Sequence, residues 1–152
     1  MYRTEDKNQL ELESFYLPFG GKLNQKNRWI QLSRLIPWKE FEEEYADQFA
    51  DSGMGAPAKP FRMALGALLI KEKLGITDEE LVEQLRENPY LQFIVGMEGY
   101  RDEAPFDPSM MVHFRKRITE AMLGRINERI HDEQVKKNDK TIRKLKKKKI
   151  LK

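Results

Sequence analysis

Cysteine is absent from all 152 residues, which excludes disulfides, thiol nucleophiles and zinc fingers of the Cys type. Histidine is scarce. His113 and His131 stand apart, with no cysteine or metal-spaced carboxylate motif beside them, so neither builds a zinc site. Long apolar runs are missing too, and nothing approaches the roughly 20 residues needed to cross a bilayer. The opening MYRTEDKNQLELE lacks the apolar core of a signal peptide, so the expected location is the cytoplasm, without a membrane partner. Strand-type alternation and internal repeats are absent. Gly75, Gly96 and Gly99 do not make a phosphate-binding loop, and no Ser-His-Asp or Cys-His arrangement has a recognisable setting. The residues therefore point to no catalytic site, no metal and no cofactor.

What is present is charge and helical periodicity. Charged residues make up 35% and hydrophobic ones 39%, which suits a soluble helical domain rather than a disordered chain. The net charge of +3 hides a division. Residues 136–152 hold ten Lys or Arg and one acid, leaving 18 basic and 24 acidic groups in the other 135. The body is mildly acidic and the tail strongly basic. Any nucleic-acid surface on the body must be a local patch.

The expected fold is all-α, a compact bundle of roughly six helices with a helix-turn-helix-like reading element and a basic C-terminal tail. Residues 1–24 read as an extended lead-in, with Phe15 to Phe19 as an aromatic anchor packed on the domain. Residues 25–135 read as the helical domain, and 136–152 as a lysine-rich, disordered tail. A short helix ends before Pro37. Trp38, Phe41, Tyr45 and Phe49 then mark an amphipathic helix whose acids, Glu40, Glu42, Glu43, Glu44 and Asp47, form a solvated outer face. Asp51 to Lys59 is a loop rich in Gly, Pro and Ala. The helix after Pro60, apolar nearly all round from Met63 to Ile70, should be central and should stop at Gly75. Thr77 and Glu80 form a capping box for a helix that closes at Asn88-Pro89, and a short helix runs on to Gly96. Further helix is expected after Thr119, toward Val135.

One segment has a polarity that suits recognition. In DPSMMVHFRKRI, Asp107 to Ile118, Asp107 is a good N-cap and Pro108 fits the first helical position. Met110, Met111, Phe114 and Ile118 fall on one side at about 100° per residue. Ser109, Val112, His113, Lys116 and Thr119 fall on the other, and Arg115 and Arg117 flank the boundary. A helix laid in the major groove needs this distribution. Arg and Lys hold phosphates while shorter side chains meet base edges.

The run GAPAKPFRMALGALLIKEKLGITDEELVEQLRENPYLQFIVGM followed by DPSMMVHFRKRI resembles the N-terminal, InsH-like domain of bacterial insertion-sequence transposases of the insertion-sequence-five and related groups. The marks are the Ala-Pro loop before a Leu-rich helix (Gly55 to Leu69) and the Leu-Gly-Ile-Thr-Asp-x-Glu-Leu element (Leu74 to Leu81). They continue with the break at Leu85 to Asn88, the Phe-x-x-Gly ending (Phe93 to Gly96) and the Ser-x-x-x-x-Phe-Arg-x-Arg helix (Ser109 to Arg117). The resemblance covers about residues 15 to 135. It implies binding of double-stranded DNA at terminal inverted repeats, through Ser109, Val112, His113, Arg115, Lys116 and Arg117. It also implies a chain truncated before the acidic-triad catalytic domain, so that Mg²⁺ would be expected only for that missing domain. The alternative is a protein-interaction module that dimerises with itself or with full-length transposase and inhibits it. The acidic body favours this alternative, and the Arg115–Arg117 cluster favours DNA. A metal-dependent nuclease is the third possibility, weakened by the lack of the triad. A compact helix-turn-helix joins its helices by three or four residues. The gap from Gly96 to Asp107 is much longer, so the reading helix needs an enlarged turn or a different support.

Overall fold

The computed structural model describes residues 12–49 and 58–150, so most of the loop expected over 51–59, the first 11 residues of the lead-in and the last two of the tail lie outside it. The described residues form a single 3-10 turn at Leu12–Ser14 and seven α-helices, one more than the sequence suggested. These are α1 (Arg28–Leu35), α2 (Trp38–Ala46), α3 (Phe61–Leu74), α4 (Asp78–Glu87), α5 (Pro89–Ile94), α6 (Met110–Arg117) and α7 (Glu120–Ile150). No strand forms among them; Tyr16 and Gly99 share one isolated parallel bridge.

Short polar side chains start most of these helices. Asn27, Thr77, Asn88 and Thr119 each accept a hydrogen bond from a backbone N–H two or three residues on, which supplies the first turn with acceptors it lacks internally. Asp107, expected as the cap of α6, instead accepts from the Ser109 N–H in the turn ahead of that helix, whose N-cap Ser109 makes no side-chain bond. The capping box is only half made, because Thr77 Oγ1 accepts from the Glu80 N–H while Glu80 turns its carboxylate to Gln84. Gly75 ends α3 in the left-handed conformation, φ 62°, with its N–H bonded to the Lys71 carbonyl.

Helix α3 is the hub, as its apolar pattern requires. Every residue from Ala64 to Ile70 is buried, and α2, α4, α5 and α6 all pack on it. Gly66 permits the α3–α5 approach, since a Cβ there would meet Val95 Cγ1 at 3.1 Å and the Ile94 carbonyl oxygen at 3.2 Å. One arginine belongs to this core. Arg62 is buried, stacks 4.7 Å from the Trp38 ring and donates to the carbonyls of Phe93 and Ile94.

Three sequence expectations change. The aromatic anchor is partial. Phe15 packs edge-on against Phe93 at 5.9 Å, but Tyr16 is exposed and Phe19 is 98% exposed, leaving one ring of the anchor in the core. The acidic face of α2 is not simply solvated. Glu42 is buried, and Glu44 and Glu40 pair with Arg125 and Arg129 of α7. Lastly, residues 136–150, expected to be disordered, continue α7 without a break. Lys and Leu are good helix formers, no Gly or Pro interrupts the run, and the first turns are already nucleated against the core by Met122 and Ile126.

Candidate nucleic-acid interface

Helix α6 divides as its periodicity requires. Met111, Phe114 and the following Ile118 are buried, and Phe114 meets Phe106 edge-on at 5.1 Å. Ser109, Val112, His113 and Lys116 are exposed, with Val112 44% accessible, a large apolar side chain facing water beside an imidazole and an amine. The N-terminal turn is tight. Met110, Met111 and Val112 bond back to Asp107, Pro108 and Ser109, three residues earlier, so the α-helix proper begins at Met110 rather than at Pro108.

The two arginines are not oriented as a free basic edge. Arg115 makes a two-pronged contact with Asp78 in the first turn of α4, at 3.0 and 3.1 Å, and Lys71 at the end of α3 reaches the same carboxylate at 2.5 Å. Both cations hold the Asp78 carboxyl below its usual range, Arg115 most strongly, against a smaller opposing effect of burial. Arg117 lays its guanidinium 3.9 Å from the centre of the Phe49 ring, and its carbonyl accepts from the Gln48 side chain. Nearby, burial pushes the Tyr45 phenol up to about 12, with Arg117 pulling the other way. Of the six residues expected to contact DNA, four stand together on the open face, and two tie α6 to α4 and to the residues after α2.

The Asp78 cluster has a pH signature. A carboxylate with a lowered folded pKa contributes stability above its unfolded pKa, and that contribution is lost as pH falls through the folded value. Asp78→Asn should therefore melt lower than the parent at neutral pH, and the gap should close on acidification below 3.8, the ordinary value for the group. Because Arg115 is 44% exposed, the effect should stay within about 1 kcal/mol. A gap that persists unchanged at low pH would show that charge at Asp78 is not what joins the three helices.

Residues 95–109, between α5 and α6, are not helical, so no compact turn joins these two helices. Gln92 replaces that turn. It is fully buried, its amide nitrogen donates to the carbonyls of Leu85, Arg86 and Arg101, and its oxygen accepts from the Arg101 N–H at 3.0 Å. Lys59 holds the Pro105 carbonyl at 3.0 Å, and Phe106 drops into the core. The loop is thus stitched down, and α6 is seated on α3. Sequence reading missed Gln92 because a glutamine among apolar neighbours looks like any polar position; its one signal is its place inside PYLQFIV, where a helix in the core has no reason to present an amide to water.

Residues 18–117 match a family described as transposase domain (DUF772). The chain belongs to that family. By that description it carries a transposase-related domain. An uncharacterized protein of Rhizobium meliloti, ORF8 in the nfe locus, is 38% identical over 96 residues, which is 63% of this chain and 45% of that protein. The chain thus spans less than half the length of this curated relative. No solved structure matches it.

The DUF772 match ends at Arg117, where α6 ends, so the family domain includes the whole open face and excludes α7. Among the described residues no three His, Asp or Glu side chains converge as a metal site, and no helix is long and apolar enough to cross a membrane.

Proposed function

We propose that this DUF772 domain is a sequence-specific DNA-binding module acting at the terminal inverted repeats of a transposable element, with α6 as the reading helix and without strand cleavage of its own. The observation that supports this most is the composition of the open face. Ser109, Val112, His113 and Lys116 are presented together on a helix whose other face is fixed to the central α3. Val112 suits a thymine methyl, and Ser109, His113 and Lys116 can meet base-edge acceptors or phosphates. The two flanking arginines then have unequal roles. Arg115 sets the angle of α6 through Asp78, and its guanidinium edge not facing the carboxylate can still reach a phosphate.

The test is competition between repeat DNA and scrambled duplex at fixed salt. His113→Ala and Lys116→Ala should keep the parent melting temperature and weaken preference for the repeat by about 1–3 kcal/mol for a good base contact. Arg115→Ala should weaken all duplexes more evenly, as a positioning contact does. With Mg²⁺ present, the parent should leave the duplex uncut. If His113→Ala and Lys116→Ala both bind like the parent, α6 is not the reader.

One observation favours a second reading. Arg115 and Arg117 are engaged within the fold, and the body around them is acidic, which suits a protein-interaction module that associates with transposase. Equal affinity for repeat and scrambled DNA in the parent would favour it.

A further inference from the structure

Helix α7 has two faces with different histories. Met122, Ile126 and Ile130 turn one face to the domain, Arg125 and Arg129 pair from that side with α2, and Lys137 hydrogen-bonds Gln31 of α1. Beyond Lys137 the helix runs on to Ile150, about 20 Å at 1.5 Å per residue. The face turned away from the domain carries Gly124, Glu128, His131, Val135, Asn138, Ile142, Leu145 and Lys149. These recur at alternating steps of four and three, and all are exposed. A Cβ at Gly124 would meet nothing within 4 Å. Val135, Ile142 and Leu145 are 44%, 50% and 58% accessible.

We propose that this seam pairs with the same seam of a second copy, as a short parallel coiled coil. With Val135 and Ile142 at the a positions, Asn138 and Leu145 fall at d, so β-branched residues occupy a and leucine occupies d, the pattern that favours two parallel strands. The flanking charges allow it. At the flanking positions of a parallel pair, Asn127 of one copy faces Asp132 of the other, Gln134 faces Asp139, and Thr141 faces Lys146, so no like charges meet there. Within the seam Glu128 and Lys149 would each meet their own copy, which confines the pairing to residues 131–145. Lys136, Lys137, Lys140, Arg143, Lys144 and Lys147 occupy b, c and f and point away from the seam. Most domain contacts of α7, through Met122, Ile126, Ile130 and Arg129, also lie at b, c and f, with Arg125 at e the exception. Two domains therefore sit on opposite outer sides of the pair. A partner drawn by charge alone would take the cationic face and leave the apolar seam bare.

Sedimentation equilibrium of the full chain, over a range of protein and salt concentrations, tests this. The parent mass should rise toward twice the 18.0 kDa of one chain, and more readily at high salt, which screens repulsion between the two cationic arms. The double variant Ile142→Gln with Leu145→Gln should stay at 18.0 kDa while melting like the parent, since both side chains are exposed. Because the chain has no cysteine, Leu145→Cys should cross-link under mild oxidation, whereas Lys147→Cys, at f, should not. A parent that remains a monomer throughout overturns the proposal. So does association that weakens with salt, a double variant that assembles like the parent, or Lys147→Cys cross-linking as readily as Leu145→Cys.

Discussion

Phe114→Ala should lower the unfolding free energy by about 3–5 kcal/mol, read as a shift in the urea midpoint. Phe114 is almost fully buried beneath α6, in contact with Phe106, and belongs to the cluster that joins α3, α6 and the start of α7. Deleting the ring removes its transfer free energy and leaves a void that well-packed neighbours cannot close. His113, the adjacent residue, faces solvent, and its replacement should leave the midpoint almost unmoved. Equal destabilisation by the two variants would mean that the faces of α6 are misassigned, and the DNA reading would lose its geometric basis.

A second large effect is expected at Gln92. Gln92→Met preserves length and apolar volume but removes every hydrogen bond the side chain makes. The Arg101 N–H loses its acceptor, and the carbonyls of Leu85, Arg86 and Arg101 lose their donor. A buried polar group left unsatisfied costs about 1–3 kcal/mol, so several together should cost about 3 kcal/mol or more. Hydrogen exchange at the Arg101 amide should accelerate beyond the global change, because that bond ties the loop ahead of α6. A loss below about 1 kcal/mol would show that water replaces the amide and that the loop is held elsewhere.

The DNA-reading proposal depends on both results in different ways. Phe114 fixes the depth of α6 on α3, while Gln92 and Lys59 fix the path of the chain into it. The Asp78–Arg115 contact then fixes its rotation relative to α4. Losing any of these should blur sequence preference even where the open face is intact, because a groove contact depends on orientation to a fraction of an ångström.

Much of this organisation was legible in the chain itself. Apolar spacing placed α3 at the centre, and Gly75, Thr77 and Asn88-Pro89 marked helix boundaries, because stops and caps depend on local backbone chemistry. The split of α6 into buried Met111, Phe114 and Ile118 and exposed Val112, His113 and Lys116 followed from its period alone. The partners of the charged residues did not. Arg115 lies 37 residues from Asp78, and Arg125 lies 81 from Glu44, separations over which sequence pattern carries no information. An arginine looks the same in a sequence whether it meets a phosphate, a carboxylate or the face of a phenylalanine. The tail shows the same limit, since composition alone suggested disorder where α7, anchored by Met122 and Ile126, continues to Ile150. Sequence determined which faces are apolar and where helices begin and end, because those properties arise within a few residues. Tertiary structure decided which cations remain available for a ligand, because only packing brings distant charges together.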